Sequence, residues 1–166
     1  EGDRAVALLA VSASLPARER AEARALAERM GARLVERSTG ELELEAYARN
    51  APDRCYHCKA VLLDDAVATA RELGLAHVVL GTNADDLGDH RPGHRAAKER
   101  GAQNPLLEAG LTKDDVRALS KALGLPTWDK AEMACLASRI AYGQRVTVER
   151  LGQVETLEAL LHDLGF

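Results

Sequence analysis

The stretch Arg54 to Val61, "RCYHCKAV", carries two of the three cysteines of the chain, Cys55 and Cys58. A Cys-x-x-Cys pair clamps zinc when two further ligands complete a tetrahedron, cycles as a redox disulfide, or lends two thiolates to an iron–sulfur cluster. Positions i and i+3 of a helix share a face, and the dipole at a helix N-terminus favours thiolate. The third cysteine, Cys135, lies far off in "AEMACLASRIAYG". A pair plus one distant cysteine lacks a fourth zinc ligand, and neither His57 nor His90 has standard spacing to supply it. Three thiolates with an open fourth position suit a [4Fe-4S] cluster with one non-cysteine iron. The plain alternative is two half-exposed cysteines and a buried one. The spacing leaves these alternatives open.

Three other clusters carry chemistry. "GTNADDLGD" crowds Asn83, Asp85, Asp86 and Asp89 into one loop. Carboxylates beyond a strand end hold Mg²⁺ or orient a nucleotide, though Asn and Asp also make ordinary solvated turns. "HRPGHR" places Arg91 and Arg95 beside those acids, and the planar guanidinium suits phosphate or carboxylate. His90 and His94 are four apart, but Pro92 and Gly93 between them argue against a helical metal pair. Ser138 and Arg139 follow Cys135 closely, as a phosphate contact or equally as a strand end with a surface arginine. The chain has no GxGxxG, no Walker A and no Gly-Gly pair, so it contains no phosphate cradle.

The elements that must position these residues alternate. "AVALLAV" (Ala5 to Val11) reads as a buried parallel strand. A helix follows, with Pro16 in its first turn, Gly31 as its stop, and Ala23, Leu26, Ala27 and Met30 on one face. "ARLVER" is the next strand, and a polar loop is expected from Ser38 to Asp53. The pattern is helical from Cys55 to Leu73, with Leu62, Ala66 and Leu73 on one side. "HVVLG" (His77 to Gly81) reads as a third strand, followed by a long polar loop of the kind that is functional or disordered. "TKDDVRALSKALG" is a helix with Thr112 as N-cap, Asp115 completing a capping box, and a stripe of Val116, Leu119 and Leu123. A last helix spans Val148 to Leu164, capped by Thr147. Alternation of this kind predicts an α/β domain with a parallel sheet, whose ligands bind beyond the carboxyl ends of the strands.

Bulk properties narrow the classes. Apolar residues at 46% and charged residues at 29% describe a globular chain. No apolar run approaches a membrane span, and no secretory signal opens the sequence. Three cysteines are odd in number and sparse, which fits a cytoplasmic protein with a thiol or metal site better than a disulfide scaffold. A net charge of −4 and 3% aromatics disfavour a nucleic-acid surface. The chain opens on Glu1 just before a strand and ends at a helix terminus, so both ends are expected to be cut from a longer protein.

Taken together, "RCYHCK", "GTNADDLGDHRPG", "GLTKDDVRALSKALGLPTWDK" and "ACLASRIAYG" resemble, in this order, the LarE family. These are ATP-dependent sulfur transferases of nickel-pincer cofactor synthesis, within the PP-loop ATP pyrophosphatases. The resemblance covers about Ala5 to Phe166. It implies an adenine nucleotide alpha hydrolase-like, Rossmann-like core lacking its first strand–loop–helix. Residues 1–143 are expected to form this partial core and 144–166 a helix leading into a missing C-terminal domain. It implies adenylation of pyridinium-3,5-biscarboxylic acid mononucleotide with ATP and Mg²⁺, then replacement of AMP by sulfur. Members with three cysteines are thought to hold a [4Fe-4S] cluster carrying an extra sulfide, which would be bound here by Cys55, Cys58 and Cys135. Others sacrifice a cysteine sulfur, a role open to Cys135. Lys59 matches a lysine near the nucleotide, Ser138 and Arg139 a phosphate or substrate contact, Asp86 and Asp89 the acidic loop, and Glu158 a carboxylate of the last helix. The family's SGGxDS loop is absent, so the chain as written is not expected to turn over ATP. The resemblance also implies homo-oligomers and a small nucleotide substrate. The nearest rival is a PP-loop tRNA thiolase with the same three-cysteine cluster. It would want a basic surface and often extra zinc-binding cysteines.

Overall fold

The computed structural model of the chain describes residues 4–88 and 92–165. Strand β1 (Val6–Val11), helix α1 (Ala17–Arg29) and strand β2 (Arg33–Ser38) form one unit. The strands pair in parallel, from Val6 opposite Arg33 to Val11 opposite Ser38. Gly31 takes the left-handed conformation at φ +62°, which lets the chain leave α1 and enter β2. Arg20 and Arg24 on α1 grip both oxygens of Glu36 on β2 at 2.6–3.3 Å. A mixed α/β chain with a small parallel sheet is thus observed.

After β2 come a short 3₁₀ turn (Glu41–Glu43), helix α2 (Glu45–Ala48) and the long helix α3 (Arg54–Glu72). Helix α4 (Pro92–Glu99) packs on α3. The two are tied by Arg100 to Asp64 at 2.7 and 3.0 Å and by Tyr56 to Glu99 at 2.6 Å. Helices α5 (Pro105–Glu108), α6 (Lys113–Ala122) and α7 (Val148–Asp163) complete the order, with a 3₁₀ turn at Leu136–Arg139 before α7. The capping box of α6 forms in both directions between Thr112 and Asp115, and Thr147 caps α7 by accepting from Arg150 N. No helix among the described residues is long and apolar enough to cross a membrane.

Four expectations are corrected. The segment His77–Gly81 is not a strand. Val79 makes one isolated parallel bridge to Gln103 and is 59% exposed. A strand takes its hydrogen bonds from a neighbour, and here the neighbour runs into Pro105, which starts α5, so no ladder propagates. The segment Ser38–Asp53 is not a mere polar loop, because Glu41, Tyr47, Ala48 and Asn50 are buried in it. The polar run after Gly81 likewise contains α4 and α5. The stripe on α6 is largely solvent-facing, with Leu119 and Leu123 at 51% and 76% exposure.

The apolar core lies away from the sheet. Tyr47, Leu136, Ala137, Ile140, Val146 and Leu151 form it, and Cys58 packs against its edge. These residues come from α2, the turn at Leu136–Arg139, the loop after it, and α7. The core therefore fixes the Cys135 turn beside the first turns of α3.

Candidate functional site

Cys55 and Cys58 stand on the first turns of α3, and Cys135 stands at the N-cap of the Leu136–Arg139 turn. All three are free thiols. Cys55 and Cys135 are exposed and Cys58 is half-buried. Burial pushes the Cys58 thiol up to about 12. The Glu41 carboxylate and the negative charge that Cys135 and Cys55 can carry push the same way, while Lys59 opposes. Cys58 packs against the core cluster that includes Leu136 and Ala137, and Arg54 donates to Ala137 O at 2.7 Å, so the fold brings the start of α3 beside the turn that follows Cys135. Ser138 Oγ lies 3.3 Å from Cys135 Sγ.

The turn is held from several sides. Leu136 N donates to Ser14 O at 3.0 Å, which ties it to the loop leaving the carboxyl end of β1. Ser14 Oγ and Tyr47 OH share a 2.6 Å hydrogen bond in the interior. Burial raises the Tyr47 phenol, so it stays neutral at ordinary pH. Lys130 Nζ binds Glu19 and Glu22 of α1 at 2.6–2.9 Å, anchoring the chain just before Met133.

Lys59, half-buried, runs its stem under α4. A Cβ on Gly93 would lie 3.4 Å from Lys59 Cβ and 3.7 Å from Cys55 O, ordinary contact distances that leave room for a methyl but not for a larger side chain. Arg139 Nε donates to Glu158 Oε1 at 2.6 Å. This pair, both members of which are candidate substrate contacts, lines a cleft of about 1210 Å³ between the start of α1, Lys130–Met133 and α7. Asp86 sits in the 3₁₀ turn Ala84–Gly88 and accepts from Asn83 N at 3.0 Å. Its neighbour Asp85 accepts from Lys113 N at 2.7 Å, which wires the acidic loop to the start of α6. Asp89, His90 and Arg91 lie outside the described residues. Arg95 stacks on Tyr56, its Cζ 4.2 Å from the ring centroid.

Two residues of this site were not singled out from the sequence. Asn50 is fully buried with φ +57°, and its Nδ2 faces the carbonyls of Ile140, Ala141 and Gln144 at 2.9–3.2 Å. Arg54 is 4% exposed and donates to Asn50 Oδ1 at 2.6 Å and to Ala137 O at 2.7 Å. The signal for Arg54 lay in plain view, one residue before Cys55. Nothing local marks Asn50, whose partners are some ninety residues downstream.

Among the described residues, no three His, Cys, Asp or Glu side chains are gathered as ligands of one metal ion. A cluster asks for something different, since its thiolates bind separate irons and surround the group rather than converge on a point. The chain offers three free thiols here, Cys58 half-buried against the core and Cys55 and Cys135 exposed.

No protein-family model matches the chain. Among curated proteins it is 44% identical, over 99% of its length, to an uncharacterized protein of Synechocystis. It is 35% identical, also over 99% of its length, to the pyridinium-3,5-bisthiocarboxylic acid mononucleotide synthase of Lactiplantibacillus plantarum. An uncharacterized protein of Methanocaldococcus jannaschii is 30% identical over 74% of the chain. The chain spans 62% and 59% of the length of the first two relatives.

Proposed function

We propose that the chain belongs to the LarE family, as its 35% identity to a pyridinium-3,5-bisthiocarboxylic acid mononucleotide synthase supports, and that it is part of a sulfur transferase of nickel-pincer cofactor synthesis built on a PP-loop core. The substrate is pyridinium-3,5-biscarboxylic acid mononucleotide. ATP with Mg²⁺ converts a carboxylate to an acyl adenylate with release of pyrophosphate, and sulfur then displaces AMP to leave a thiocarboxylate. The observation that supports the reading is the packing of the first turns of α3, which carry Cys55 and Cys58, against the turn that follows Cys135: Cys58 lies against the core cluster that includes Leu136 and Ala137, and Arg54 donates to Ala137 O at 2.7 Å.

Cys55, Cys58 and Cys135 would hold a [4Fe-4S] cluster, which supplies an iron-bound sulfide that stays deprotonated near neutral pH. The remaining roles fall to the chain itself. Ser138, 3.3 Å from Cys135, orients a phosphate or carboxylate oxygen at the mouth of the site. Arg139, fixed by Glu158, offers a planar fork to the anionic substrate from the cleft beside α7. Lys59 sets a positive charge next to Cys58, where it favours thiolate and faces the nucleotide. Asp86 serves the Mg²⁺ side of the nucleotide.

The test is iron and sulfide content after anaerobic reconstitution, with Cys135→Ala alongside. About four irons per chain, with absorbance near roughly 400 nm, both lost in the variant, is the expected result. Absence of iron from the full-length protein as well overturns the cluster and leaves Cys135 as a sacrificial sulfur donor.

A further inference from the structure

Arg54 is, among the described residues, the buried cation of the chain. Its Nη1 donates to Asn50 Oδ1 at 2.6 Å and to Ala137 O at 2.7 Å, and its Nη2 reaches Ser138 Oγ at 3.5 Å. The Tyr142 ring lies 5.8 Å from its Cζ. None of these partners is an anion, and no described carboxylate pairs with it. Burying a guanidinium without a directly paired counter-charge is costly, so its position favours negative charge nearby.

The geometry says what that charge serves. Ala137 O belongs to the turn that begins at Cys135, while Arg54 itself precedes Cys55. One guanidinium therefore bridges the strand of chain carrying the third thiol to the helix carrying the other two. Asn50, four residues earlier, receives Arg54 on its oxygen and grips Ile140, Ala141 and Gln144 with its nitrogen. The turn is thus held at its middle by Arg54 and at its exit by Asn50. A lysine has one nitrogen and cannot span Asn50 Oδ1, Ala137 O and the direction of Ser138 together.

We infer that Arg54 is the positioning residue of the three-thiol site: its guanidinium locks the Cys135–Arg139 turn against the first turn of α3 and supplies the positive charge that a thiolate-held cluster requires. This rests on the sulfur-transferase reading above. The locking is separable from it, because it concerns the thiols before any iron arrives.

The experiment compares wild type, Arg54→Lys, Arg54→Gln and Arg54→Met under anaerobic, iron-free conditions. A short bis-alkylating thiol reagent is added and the bridged peptides are counted by mass spectrometry. Bridges joining Cys135 to Cys55 or Cys58 report the lock, and the Cys55–Cys58 bridge, local to one helix, is the internal control. Releasing the turn lowers the effective concentration of Cys135, so its bridges fall about tenfold relative to the control in Arg54→Met and Arg54→Gln, with Arg54→Lys between. If Arg54→Met unfolds, Arg54→Gln decides, because its amide still reaches one acceptor. Unchanged Cys135 bridging in a folded Gln or Met variant overturns the inference. Reconstitution with iron reads the charge: the reduction potential is expected to be lower in Arg54→Gln than in Arg54→Lys, and equal potentials overturn that half. Wild type that bridges as expected but takes up no iron defeats the cluster reading and leaves the lock standing.

Discussion

Replacing Asn50 by alanine tests how the site is held. The side chain is fully buried, and its Nδ2 faces three carbonyls at 2.9–3.2 Å. Two hydrogens satisfy these acceptors, at about 1 kcal/mol each, and the bond from the Arg54 guanidinium is charge-assisted, at about 1.5–3 kcal/mol. The backbone at φ +57° suits asparagine, whereas alanine there costs about 1 kcal/mol more. The expected loss is about 4–6 kcal/mol, a large share of the ~5–15 kcal/mol that holds a domain together. For a chain of this size that is a fall in Tm of roughly 10–20 °C. Urea titration followed by circular dichroism measures it, with an unchanged m-value confirming that the unfolded state is the same. Asn50→Gly separates the two causes, since glycine accepts the backbone freely and recovers up to about 1 kcal/mol over alanine. An Asn50→Ala variant within about 1 kcal/mol of wild type would refute the hydrogen-bond account. Alanine as stable as glycine would refute the backbone account.

Three further outcomes follow from the same coordinates. The Cys58 thiol, pushed from 9.0 to about 12, should alkylate slowly at neutral pH. Its thiolate fraction falls about 10³-fold while intrinsic nucleophilicity recovers about 30-fold, a net slowing of roughly 30-fold against the unfolded chain, measured by iodoacetamide labelling and mass spectrometry. Gly93→Ala should keep or slightly raise stability, by up to about 1 kcal/mol, because the added methyl meets Lys59 at ordinary contact distance and alanine favours helix. Gly93→Leu should displace α4 and lower Tm, and a Leu variant as stable as wild type would contradict the close packing. Arg24 and Arg20 hold the Glu36 carboxyl at about 2 rather than 4.5, so the folded state binds this proton later than the unfolded state. The contribution is present above pH 4.5 and lost as pH falls toward 2. Acid titration of stability should therefore be shallower in Glu36→Gln, and identical curves would remove this pair from the acid response.

The sequence by itself determined the elements whose signals are local. Pro16 and Gly31 bracket α1, the Thr112–Asp115 box starts α6, and Thr147 starts α7, because caps and stops act within one turn of chain. The apolar run Val6–Val11 and the mixed segment Arg33–Ser38 became strands because each found the other. His77–Gly81, more apolar than Arg33–Ser38, did not, since a strand exists only where a partner extends the ladder, and that partner is a distant property. The ordered set of motifs resembles the LarE family without any reference to geometry. Tertiary structure alone decided what surrounds the cysteines. Asn50 and Tyr47 fell within an expected polar loop until the chain returned at Cys135–Val146 to cover them, and Arg54 stood only as the residue before Cys55. Their burial depends on contacts across some ninety residues, which no window of sequence contains.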